Sequence, residues 1–95
     1  MQNFDTVYKI ILKGFVQDVG FRSYVHYYAL KYNISGYVRN LSDGNLEIIA
    51  IANKDDYNKF EEYVLKGPAG SEITGIVKNI ISESNINLIE GFKIQ

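Results

Sequence analysis

An α+β sandwich, with two helices on one face of an antiparallel sheet, is the fold this sequence predicts. Three observations predict it. Apolar spacing alternates between a strand period and a helix period in the order β-α-β-β-α-β. A Ser42-Asp43-Gly44 turn joins the two middle strands as a hairpin. The 95 residues, 46% hydrophobic and 22% charged, are enough for one modest core but too few for two, so residues 1–95 read as one domain.

Each element has its own signal. Thr6–Lys13 alternates, with Tyr8, Ile10 and Leu12 on one face and Val7, Lys9, Ile11 and Lys13 on the other. Arg22–Asn33 is helical, because Phe21, Val25, Tyr28, Ala29 and Tyr32 fall on one stripe. Gly36–Leu41 and Asn45–Ala52 are the hairpin strands. Lys54–Leu65 is a second helix with Tyr57, Phe60 and Val64 as its apolar stripe, and Lys66-Gly67-Pro68 stops it. Glu72–Ile81 is a fourth strand and Gly91–Ile94 a short fifth. The order is that of the ferredoxin-like sandwich, a fold that hosts metal carriers, RNA binders, regulatory domains and enzymes.

Composition removes several of these classes. The absence of cysteine excludes disulfides, thiolate nucleophiles and iron–sulfur or zinc–thiolate sites. A net charge of −1 with mixed signs supplies no basic stripe for nucleic acid or an anionic membrane. RNA-binding sheets need aromatic and basic residues on their central strands; Tyr37 and Arg39 share a face, but Leu46–Ile51 adds only an acid. No basic region followed by an apolar run marks the N-terminus, and no apolar stretch approaches the ~20 residues of a membrane span. The expected setting is cytoplasmic, and a small charged sandwich gives no reason to expect more than a monomer.

Isolated motifs have bland readings. Ser23 and His26 lie three apart on one helix, but no buried acid is identifiable to orient the histidine. Asp55, Asp56, Glu61 and Glu62 read as the wet face of the second helix, with none of the ligand alternation of a calcium loop. Tyr24, Tyr27, Tyr28 and Tyr32 read as packing and rim residues. No metal ligand set is proposed.

The stretch Leu12–Arg22 carries more. A strand runs into a tight segment with Gly14 and Gly20, and a helix begins near Arg22. The first N–H groups of a helix lack helical partners and its dipole favours negative charge there, so this is a phosphate-sized anion site.

Two motifs then resemble the acylphosphatase family: Gly14-Phe15-Val16-Gln17-Asp18-Val19-Gly20-Phe21-Arg22, and Gly36-Tyr37-Val38-Arg39-Asn40-Leu41-Ser42-Asp43-Gly44. Lys66-Gly67-Pro68-Ala69-Gly70 is similar to the family's segment after its second helix, and the resemblance covers essentially the whole chain. It implies metal-independent, cofactor-free hydrolysis of the carboxyl–phosphate bond of acylphosphates. Arg22 would bind phosphoryl oxygens, and Asn40 would hold the attacking water. Main-chain N–H groups of Gln17, Asp18, Val19, Gly20 and Phe21 would cradle the remaining oxygens. Phosphate or sulfate would bind as product or product mimic.

The chain departs from the family pattern at Asp18, where the family usually has Gly. A carboxylate ~5 Å from a phosphoryl group opposes binding by ~3 kcal/mol at an effective dielectric of ~20, less if solvated. Asp tolerates left-handed backbone, so the expectation is an outward-pointing Asp18 and a weakened but working site. Leu46 and Ala52 stand where the family favours Val and Gly. Two other readings stand beside the enzyme. One is a phosphate- or protein-binding module disabled at Asp18. The other is a free-standing relative of domains in larger carbamoyl-transfer proteins, which carry a similar Val-Gln-x-Val-Gly-Phe-Arg segment.

Overall fold

The computed structural model describes residues 5–82 and 90–95. The expectation that no secretory signal marks the N-terminus falls on residues 1–4, which lie outside that range. Seven elements follow in chain order: β1 (Thr6–Phe15), α1 (Phe21–Lys31), β2 (Ser35–Asn40), β3 (Leu46–Ala52), α2 (Lys54–Lys66), β4 (Glu72–Ser82) and β5 (Phe92–Ile94). They form one five-stranded sheet in the order β4-β1-β3-β2-β5, with both helices on the same face.

The expected alternation of β1 is observed. Tyr8, Ile10 and Leu12 enter the main core with Val25 and Ala29 of α1, Val38 of β2, Ile48 of β3, and Tyr57, Phe60 and Val64 of α2. β1 outruns its predicted end by two residues through a bulge at Lys13/Gly14. Gly14 has φ +124° there, and a Cβ would drive into the Glu72 carbonyl of β4, so only glycine fits.

The sheet is mixed, where the sequence predicted an antiparallel one. β1 to β4 pair antiparallel, but β5 pairs parallel with β2 through Gly36↔Phe92, Tyr37↔Lys93 and Val38↔Ile94. The reason is geometric. β4 already occupies the β1 edge, and the remaining edge is β2, which runs the same way as β5.

All seven residues of β3 are buried, on both faces. On the helix-free face, Ile49 and Ile51 pack with Val7 and Tyr37. Beside them Glu47, 5% exposed, accepts from Arg39 Nε at 2.6 Å and from the Tyr37 hydroxyl at 3.2 Å, with Lys9 Nζ 3.7 Å away. A buried carboxylate is tolerable only with such partners. The same contacts occupy the aromatic and cationic pair that faintly suggested an RNA surface.

Candidate active site

β1, α1, β2 and β5 converge at one end of the sandwich. The β2–β3 turn there closes by Leu41 N–H donating to Asn45 O and Gly44 N–H to Leu41 O. Asp43 Oδ1 accepts from Asn45 N–H, and Gly44 takes the positive φ that the turn requires. Asn40 is the last residue of β2 and pairs with Leu46.

The loop after β1 enters α1 through Gly20, an N-cap in the left-handed region at φ +78°. No side chain caps this helix and no acid stands in its first turn. Its ladder starts with Tyr24 N–H donating to Gly20 O, which leaves the N–H groups of Phe21, Arg22 and Ser23 without a helical carbonyl. The dipole and these donors make the end of α1 electropositive, and Arg22 adds a full charge.

A cavity of about 160 Å³ opens at this point, lined by Val16, Asp18, Gly20, Phe21, Arg22, Ser23, Asn40 and Ile94. Of the residues the sequence reading assigned to the site, Asp18, Gly20, Phe21, Arg22 and Asn40 line this one cavity. Asp18 is solvent-exposed with φ +64°, the left-handed conformation expected of it. Gln17 and Val19 do not line the cavity. Val19 packs against the core, and the Gln17 side chain is engaged elsewhere.

Val16, Ser23 and Ile94 are lining residues that the sequence reading did not assign to the site. Val16 is fully buried under the loop. Ile94 reaches the cavity only because β5 adds to the β2 edge. The same pairing places Gln95 so that its main-chain oxygen accepts from Arg22 Nη1 at 2.9 Å. That contact fixes one end of the guanidinium, which has further N–H donors for a ligand. The Tyr24 hydroxyl donates to Tyr63 O at 2.6 Å and ties the first half of α1 to the end of α2; burial, then Tyr28 and Tyr63, push its pKa above the ordinary phenol value.

A larger groove of about 530 Å³ lies between Thr6 and Tyr8 of β1, Tyr57 of α2 and Ile80 of β4. Lys78, which lines it, already donates to Glu61 at 2.9 Å. Volume alone favours this groove, but the smaller cavity has the convergent free donors.

Fold and cavity together define a small α+β sandwich with a polar pocket, lined by Arg22, Asn40 and Asp18, at the uncapped start of a helix. The acylphosphatase family model matches residues 8–94, and the chain belongs to that family. The acylphosphatase of Listeria monocytogenes is 54% identical over 56 residues, which is 59% of this chain and 60% of the length of that relative. The crystal structure of acylphosphatase from Bacillus subtilis superposes with a TM-score of 0.89 at 36% identity, covering 95% of this chain and 98% of that one. A full-length HypF structure in a phosphate- and nucleotide-bound form contains a similar unit, with TM-score 0.85 and 26% identity over all of this chain and 12% of that one.

Proposed function

We propose that this protein is a metal-independent acylphosphatase that hydrolyses acylphosphates to carboxylate and phosphate. One observation carries the reading: Arg22 and Asn40, from different elements, line the same cavity at the uncapped start of α1. Phosphoryl transfer asks little covalent work of a protein and depends on positioning and charge stabilisation. Arg22 would donate paired hydrogen bonds to phosphoryl oxygens, and main-chain N–H groups between Gln17 and Phe21 would hold the others. The Asn40 amide would orient a water in line with the leaving carboxylate. Oxygen–phosphorus bond formation to water accompanies cleavage of the bond to the carboxylate, and a phosphoryl oxygen takes the water's proton. A carboxylate is a good leaving group, so no dedicated general base is required. The protein would act as a cytoplasmic monomer on small-molecule acylphosphates.

Asn40→Ala is expected to lower kcat for benzoyl phosphate by at least ~10²-fold, the range for losing a donor aimed at reacting atoms. Inorganic phosphate should still raise its melting temperature. Unchanged kcat would remove Asn40 from the reaction.

One observation favours a second reading. Asp18 stands in the cavity wall with a negative charge, so a phosphate-binding module without turnover is the alternative. Protection by phosphate in a wild type that hydrolyses no acylphosphate would select it.

A further inference from the structure

The Gln17 side chain turns from the cavity to the β2–β3 turn. Its amide nitrogen donates to Leu41 O at 2.8 Å and to Asn45 O at 2.9 Å, contacts that reach 24 and 28 residues along the chain. The two acceptors flank the turn that directly follows Asn40. A carboxamide nitrogen has two N–H donors, and both are used here.

The strand ladders explain why this contact matters. β1 pairs with β3 only as far as Leu12↔Leu46, and β2 with β3 only as far as Asn40↔Leu46. The loop that carries Asp18, Gly20 and the approach to Arg22 lies beyond that last rung. Among the described residues, Gln17 makes the side-chain hydrogen bonds that tie this loop to the hairpin. The turn does not need it for its own closure, because Leu41 O already accepts from Gly44 N–H and Asn45 O from Leu41 N–H. Removing Gln17 therefore leaves neither carbonyl orphaned, and the cost falls on the link between the two parts.

We infer that Gln17 is a positioning residue: its side-chain amide holds the anion loop in register with Asn40, so that bound phosphoryl group and oriented water meet in line. The inference rests on the acylphosphatase reading above. In that reading the Gln17 main chain serves the substrate while its side chain serves the hairpin. A displacement of about 1 Å at such a junction is enough to lower turnover by ~10²-fold.

The test is steady-state hydrolysis of benzoyl phosphate by the wild type, Gln17→Ala, Gln17→Glu, Asn40→Ala and the Gln17→Ala/Asn40→Ala double variant. Phosphate-induced thermal shifts are measured alongside. Gln17→Glu keeps the shape but replaces the donating nitrogen with an acceptor, which separates hydrogen bonding from packing. The expected result is a kcat at least ~10-fold lower in both Gln17 variants, KM within about threefold of wild type, and phosphate protection retained. The double variant should be no slower than Asn40→Ala alone, because Gln17 acts through Asn40. Wild-type kcat in both Gln17 variants, with Asn40→Ala inactive, would overturn this inference and leave the parent reading standing. Multiplicative losses in the double variant would also overturn it. Full turnover in Asn40→Ala would overturn the parent reading and this inference with it.

Discussion

Helix α2 begins on Asn53, whose side-chain oxygen accepts from Asp56 N–H at 2.8 Å, and carries Asp55 and Asp56 in its first turn. Helix α1 begins on Gly20, with no capping side chain and no acid in its first turn. The two helices pack on the same sheet face and face the same problem of unpaired N–H groups and a positive dipole end. α2 solves it internally, with an amide cap and two carboxylates of its own. α1 leaves it unsolved and sets Arg22 beside it. Under the proposed function the difference has a meaning: the uncapped start of α1 is left for an anion from outside, while α2 needs none.

The comparison can be broken by making α1 resemble α2. Ser23→Asp puts a carboxylate in the first turn of α1, on the cavity wall. It should raise KM for benzoyl phosphate at least ~10-fold, since a like charge ~5 Å away opposes binding by up to ~3 kcal/mol at an effective dielectric of ~20. The helix should be no less stable. Unaltered KM would show that the end of α1 does not hold the substrate.

The converse change is Asn53→Ala, which strips the α2 cap. Chemical denaturation should show a loss of about 1 kcal/mol, the usual cost of losing an amide cap, with kcat and KM unchanged. A loss of activity comparable to that of Ser23→Asp would mean that the two helix starts are not functionally distinct.

Asp18 gives the smallest effect. Asn tolerates the same left-handed backbone, so Asp18→Asn removes charge without changing the loop. KM should fall two- to fivefold, a modest change because the carboxylate is solvated. No change in KM would refute the proposed charge penalty.

Much of this was legible in the sequence. The alternation of Tyr8, Ile10 and Leu12 and the Phe21–Val25–Ala29 stripe report burial directly, because period and face are local properties. The glycine-bearing turn into α1 at Gly20 was legible for the same reason, since a strand that runs into a glycine and then a helical stripe is written in neighbouring residues. What could not be read depends on partners distant in the chain. Ile94 and Gln95 reach the site only because β5 finds the β2 edge. The role of the Gln17 side chain depends on two carbonyls at Leu41 and Asn45. The burial of Glu47 between Lys9 and Arg39 likewise needs the register of three strands.

Hydrolysis of benzoyl phosphate by the wild type and Arg22→Ala, with a metal chelator present, is the most direct test of the central claim that the uncapped start of α1 and Arg22 bind and activate the phosphoryl group. The account predicts turnover that survives chelation in the wild type and falls at least ~10³-fold in Arg22→Ala, with phosphate no longer raising that variant's melting temperature. Turnover and phosphate protection that persist in Arg22→Ala would contradict it.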